Sequence, residues 1–452
     1  MVYGSSDNRV DLVFFSDGYV PEEKQRFIND AYALALEITG NQTFNTVKPL
    51  LNIWAAFSPS GESGLGQDGV LKDTPFGLYR NGTELRAVYY GKPEVADAAC
   101  KSLGSQCDYP ILLGNSPLYG GLGGRFTVIT NSIANGPLIL RHELGHSIIP
   151  VGEEYDGGYA YSGVNAADTP DAIGWGHWLT TPAPRVERSV MPMQTYPWTL
   201  LNTSTPWSVT FDSAGTYSRY LVRFSLSGLP EMGDARVTID GKDLGWTPKV
   251  GLGMDRWHYD FLVEEGLGGG EHELVFELVN SEREGAAQLC NAEIIEYGDE
   301  DEFDMTPGAY SIYPTYSETN TTTYRPTNED CLMRLVTASS FCSVCMEGLW
   351  LTLLKDVDLI DGFQESCSSG HTLSVQLVPV GQFRDAAVDI EEAYTISWYK
   401  DGVELPDLAN LTMIEVGDAE TYEVKVAFDT EEVRVDKEGR MKTGATYVTK
   451  EC

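Results

Sequence analysis

Residues 137–155, PLILRHELGHSIIPVGEEY, specify a short helix and the place where it must stop. Pro137 suits a first helical turn, Leu138, Ile139, Leu144 and Ile148 supply an apolar face, and Pro150 with Gly152 ends the run. Within it His142 and His146 stand four apart, on one helical face, so both imidazoles can reach a single ion. Glu143 is left able to hold a water on that ion. A longer zinc motif would place a third histidine ten residues after His142, but that position is Gly152. Glu153 and Glu154 come next, and the turn at Pro150 and Gly152 can bring a carboxylate back over the helix end, where its oxygen binds zinc as well as an imidazole does. Glu153 is the first choice and Glu154 the second. Whichever is not a ligand serves to accept the far N–H of a ligand histidine.

Three protein ligands and one open position make a catalytic rather than a structural zinc site. Zinc there lowers the pKa of its water, and Glu143 as general base takes the proton while the water attacks a carbonyl. The reaction class implied is peptide hydrolysis. His177, in WGHWL between Trp175 and Trp178, reads as a packed loop residue; His258, His272 and His371 fall in strand-like stretches without a partner motif and read as structural or surface histidines.

The rest of the chain divides by its patterning. RVDLVFFSDGYVPEEKQRFINDAYALALEI is a buried strand, a turn, and a helix entered through Pro21 with Glu22 and Glu23 in its first turn, the grammar of an α/β layer. LNIWAAFSPS, DYPILLG and RFTVIT are further short strands. The glycines of YGGLGGR (119–125) are followed by neither a Lys-Ser/Thr pair nor a helix, so they mark a turn or a close approach rather than a phosphate loop. From about 207, alternating runs such as YLVRFSLSG and HELVFELVN describe an all-β module, which ends near the acidic run YGDEDEFD. That run reads as a solvated boundary in preference to a calcium site. Helical patterning returns over NEDCLMRLVTASSFCSVCMEGLWLTLLKDV, and the tail from about 365 is again strand-like, suggesting an immunoglobulin-like sandwich.

A chain of 452 residues is too long for one core, and no segment approaches the roughly 18 uncharged apolar residues of a membrane helix. The net charge of −36 disfavours nucleic acid and anionic membranes as partners. Five sequons, at Asn41, Asn81, Asn202, Asn320 and Asn410, and eight cysteines point to a secreted, disulfide-bonded glycoprotein. The first residues have neither a basic start nor a long apolar core, so residue 1 is read as following a removed leader.

These residues resemble the IgA peptidase family of zinc metallopeptidases, metallopeptidase family 64. The resemblance is carried by His142, Glu143, Gly145 and His146 with Glu153-Glu154-Tyr155, where the family's usual first acid is Asp, and by DGY (17–19), SPSGESG (58–64), YGG (119–121), CLMR (331–334) and FCSVC (341–345). It implies a secreted zinc endopeptidase acting on protein or peptide, with Met333 as the methionine turn packed beneath the metal; Met191 and Met193 match that role less well. It implies an α+β fold: a metzincin-like catalytic domain over 1–204 and 305–356, with a twisted mixed sheet, interrupted by an inserted β-sandwich over 205–304. An immunoglobulin-like β-sandwich over 357–452 lies outside the resemblance. On the same map Cys100 pairs with Cys107, Cys331 with Cys342 or Cys345, and Cys367 with Cys452. The Cys-x-x-Cys of FCSVC is read as disulfide rather than half of a zinc ribbon, because no second Cys pair accompanies it. The alternative reading of the whole chain is a cell-surface or matrix binding protein whose β modules do the work, with the zinc site structural or vestigial.

Overall fold

The computed structural model describes residues 1–40, 43–159, 161–368 and 370–452. Asn41, the first sequon, lies outside the described residues, whereas Asn81, Asn202, Asn320 and Asn410 are all exposed.

The protein is α+β, with few helices and many sheets. In the N-terminal part the strand Val10–Asp17 is buried along its whole length and sits inside a five-stranded sheet. It pairs in parallel with Leu51–Ala56 on one side and Tyr109–Gly114 on the other. Tyr109–Gly114 continues in parallel to Thr127–Thr130, and a short antiparallel strand, Gly121–Leu122, forms the edge. A strand covered on both faces must be apolar on both, which is why VDLVFF shows no alternation. Helix α1 (Lys24–Thr39) buries Phe27, Ala31, Leu34, Ala35 and Ile38, one stripe at helical spacing, in the core shared with Leu12 and Phe14. Val13 and Phe15 face the opposite layer, with Ala96 of helix α2 (Pro93–Ser102).

The DGY turn after the first strand is held by charge. The buried Asp17 carboxylate accepts hydrogen bonds from the backbone N–H groups of Phe76 and Leu78 and from the Thr74 hydroxyl, at 2.7–2.9 Å. Gly18 follows at φ +75°, and a Cβ there would meet the Gly64 carbonyl at 2.5 Å, so only glycine fits.

From Trp207 the chain forms two antiparallel sheets around one core containing Val222, Phe224, Leu274, Phe276 and Ile294. The strand Ser189–Thr195 adds to the edge of one of them by pairing with Gln288–Tyr297, so sheet continuity begins before residue 205. The acidic run that follows is tied by Arg188 to Glu302 at 2.5 Å. The C-terminal residues form a three-stranded and a four-stranded antiparallel sheet, with Leu373, Ile396, Trp398, Val424 and Phe428 buried in a continuous core.

Two sequence expectations change here. The helical run read over residues 328–357 is helix only in α4, Ser343–Asp356; residues 328–342 are turns and irregular chain that lie against α3 (Gly136–Ile148). Disulfides join Cys100 to Cys107 and Cys367 to Cys452, but Cys331, Cys342 and Cys345 are buried free thiols. No described helix is long and apolar enough to cross a membrane.

Replacing Asp17 by Ala strands two buried backbone donors and a hydroxyl, and should destabilise the N-terminal part by about 2–4 kcal/mol. Denaturant unfolding of Asp17→Ala against the parent checks this.

Candidate metal centre

Helix α3 starts with Pro137 in its first turn and ends at Ile148, after which Ile149 is extended. It is packed on nearly every side: Ile139, Leu140, Arg141, His142, Leu144, Gly145 and Ile148 are all buried. Gly145 is required by its neighbours, because a Cβ there would sit 2.9 Å from the Phe341 ring and 3.0 Å from Met333 Sδ. Met333 is wholly buried under the helix, and its carbonyl accepts the Glu154 N–H at 3.0 Å. Met191 and Met193 lie in the strand Ser189–Thr195 and pack in separate cores.

Both histidines are oriented by backbone carbonyls. His142 Nδ1 donates to Leu332 O at 3.0 Å, and His146 Nδ1 lies 3.4 Å from Val151 O. A carbonyl can only accept, so each ring carries its proton on Nδ1 and turns Nε2 inward. There Glu153 meets them, with Oε2 at 3.4 Å from His142 Nε2 and Oε1 at 3.0 Å from His146 Nε2. The three groups offer ligand atoms within 4.8 Å of one another. His146 Nε2 and Glu153 Oε2 are nevertheless buried without an aligned hydrogen bond. A convergent set of two imidazoles and a carboxylate with unsatisfied lone pairs is the donor set of a divalent cation.

Glu154, the second choice from sequence, turns the other way. Its carboxylate accepts from Asn165 Nδ2 at 2.8 Å and lies among Cys331, Cys342 and Cys345. His177 is removed from the site, with Nε2 2.6 Å from Glu347 Oε2.

The electrostatics follow from burial. Burial opposes the charged form of His142, but the charge and hydrogen bond of Glu153, with Glu143 adding, raise its pKa to about 9. Burial pushes Glu153 upward too, yet the two imidazoles hold it down to about 2. Burial raises Glu143 above the usual carboxylate range.

The glycine-rich loop lies directly over Glu143. A Cβ on Gly123 would come within 2.5 Å of Glu143 Oε2, and one on Gly121 within 2.1 Å of Ile139 and 3.3 Å of Glu143 Oε1. These glycines therefore serve a close approach, bringing the edge strand Gly121–Leu122 alongside the carboxylate.

A cavity of about 470 Å³ opens at His142, Glu143 and Glu153. One of its walls is built by the β-sandwich: Arg223, His258, Asn291 and Glu293 come from three neighbouring strands of one sheet. Sequence reasoning missed these residues and set His258 aside as structural. They sit in alternating strands indistinguishable from any half-buried sheet, so no local signal marks them. Burial, with Arg256 and Arg223 adding, keeps His258 well below the ordinary imidazole pKa, as a neutral ring. Arg256 stacks between Tyr119 and Trp198, 4.8 Å from each ring.

A chain of paired charges, anchored on the buried Arg223, Arg334 and Asp156, ties this wall to the turn after α3. Arg223 reaches Asp260 and Glu329 at 2.7 Å each, and Arg334 joins Glu329 at 3.2 Å to Asp156 at 2.6 Å. Burial would raise the Glu329 pKa, but Arg223 and Arg334 bring it down to about 2.

Residues 2–181 match the family model described as IgA Peptidase M64. Over that segment the chain is similar to the IgA peptidase family. The M64 match contains α3, His142, His146 and Glu153 and ends before the Cys331–Arg334 segment, which stands in the structure against the matched helix. No curated protein matches the chain. Among solved structures, the EclA C-terminal domain, a sugar-binding protein, is 12% identical over 25% of this chain and 81% of that one, with a TM-score of 0.17. A family 35 carbohydrate binding module from Clostridium thermocellum is 13% identical over 24% and 90%, at 0.15. The CBM51-2 and INT domains of Clostridium perfringens ZmpB are 10% identical over 60% and 80%, at 0.14. Likenesses this weak say nothing about what this chain binds.

Arg334→Met leaves Asp156, itself buried, without its partner, and should cost about 3–5 kcal/mol in folding stability. A thermal or denaturant melt of the variant reads the loss directly.

Proposed function

We propose that the protein is a zinc-dependent endopeptidase, with His142, His146 and Glu153 as the metal ligands and Glu143 as the general base. The observation that carries the reading is the convergence of those three side chains, each Nε2 turned inward by a backbone carbonyl. Zinc, when bound, polarises a water and the substrate carbonyl. Glu143, buried beside the pair and raised in pKa, holds the water's proton at its carboxylate and passes it to the leaving amine. Leu332 O and Val151 O keep the Nδ1 protons in place, so both imidazoles stay in one tautomer through the cycle. The buried Met333 is the packing floor beneath Gly145.

An extended peptide suits the site's shape. The edge strand Gly121–Leu122 offers unpaired backbone groups beside Glu143, on which a substrate can add as a strand. The β-sandwich supplies another wall of the cavity.

This reading assigns 1–204 and 305–356 to a metzincin-like catalytic domain, 205–304 to an inserted β-sandwich and 357–452 to a C-terminal immunoglobulin-like domain. It also makes the protein secreted and glycosylated, supported by two disulfides and four exposed sequon asparagines.

Glu143→Gln should lower kcat/KM on casein at least about 10²-fold while the zinc content stays at the parent level. Undiminished cleavage by that variant would remove Glu143 from the mechanism. Glu153→Ala should lose the zinc of the histidine site and activity together, read by metal analysis against the parent and the same assay.

A further inference from the structure

We propose that Glu154, Cys331, Cys342 and Cys345 form a second, structural zinc site, buried behind the histidine site and separate from it. The four side chains offer ligand atoms within 4.8 Å of one another, and all four residues are buried. Their spacing fits a tetrahedron. Zinc–sulfur arms of about 2.3 Å place the sulfurs of such a site about 3.8 Å apart. Cys331 Sγ and Cys345 Sγ are 3.7 Å apart, and Cys345 Sγ is 3.8 Å from Glu154 Oε1.

An independent observation points to the same ligand. Glu154 Oε2 is buried and has no hydrogen-bond partner, although the residue is completely inaccessible. An unsatisfied carboxylate oxygen among three thiols is costly unless a cation is shared between them. Cys342 is the N-cap of α4 with Cys345 in its first turn, and the Cys342 N–H donates to Cys331 Sγ at 3.4 Å. Arg334 Nη1 donates to the Glu154 carbonyl at 3.0 Å, so positive charge lies close to the cluster.

Other uses of the thiols fit less well. A disulfide between any two of three cysteines leaves the third unpaired, and 3.7 Å is far from the roughly 2.05 Å of a bond. A reactive or redox role needs solvent access, which these thiols lack. Three soft thiolates with one carboxylate, closed to solvent, select zinc in a structural rather than a catalytic setting.

The site's position gives it a purpose. Glu154 follows Glu153, Cys331 precedes the Leu332 carbonyl that orients His142 and the Met333 beneath Gly145, and Cys345 belongs to α4. One ion would cross-link three segments that converge on the histidine site.

The test uses the full chain and a His142→Ala/His146→Ala variant that removes the histidine site. Zinc analysis should give about two ions per chain in the parent and about one in the variant. X-ray absorption of the variant's zinc should show mainly sulfur neighbours at about 2.3 Å. Alkylation in denaturant and chelator without reductant should label Cys331, Cys342 and Cys345 alike. A variant free of zinc, a zinc without sulfur neighbours, or a disulfide linking any two of these cysteines would each overturn the proposal. A parent holding a single sulfur-bound zinc would sustain this site and refute the histidine one, so the two readings fail separately.

Discussion

The hydrogen bond from His142 to the Leu332 carbonyl is the constraint on which the site depends. It joins a helix in the first third of the chain to a turn that the sequence reaches only after the whole inserted sandwich. Around it the same short segment supplies Met333 under Gly145, the Met333 carbonyl for Glu154 and the Arg334 guanidinium for Asp156. A turn with so many obligations cannot also be helical, which explains why residues 328–342 depart from the helical pattern of their side chains. Its backbone groups are spent on holding other elements.

The β-sandwich is part of this arrangement. Arg223 on its central strand pairs with Glu329 on the returning chain, and Glu329 in turn pairs with Arg334. The chain thus leaves the N-terminal part, builds two sheets, and comes back through a buried charge pair that locks the module against the cavity. Paired charges of this kind contribute little net stability but are expensive to break, so they fix orientation more than they add energy. The module's placement makes it a wall of the site and not a detached domain, with His258 and Glu293 facing the same space as Glu143.

Two adjacent glutamates illustrate how finely the backbone divides labour. Their identity is the same, and a sequence reading ranks them only by reach. The turn after Pro150 points Glu153 toward two imidazoles and Glu154 toward three thiols, so one peptide unit separates two different donor sets. Successive side chains in an extended segment point to opposite sides, which is the physical reason the two carboxylates cannot share a site.

The local chemistry was legible from the chain itself. The helix and its end, the spacing of His142 and His146, the buried strand Val10–Asp17 and the close-approach glycines all follow from periodicity, proline and sterics acting within a few residues. The α+β division was readable as a change of hydrophobic period near residue 207. What remained hidden depends on contacts between residues 100 or more positions apart: the sandwich wall with His258, the buried charges linking Arg223 to Arg334, and the gathering of Glu154 with three cysteines. FCSVC reads as disulfide from the sequence because no second Cys pair accompanies it, yet its thiols stay free and gather with Cys331 and with Glu154 from the turn after α3. Short-range stereochemistry is encoded residue by residue and can be read there; which distant side chains meet is decided only when the layers pack, because packing, not spacing, brings them within reach.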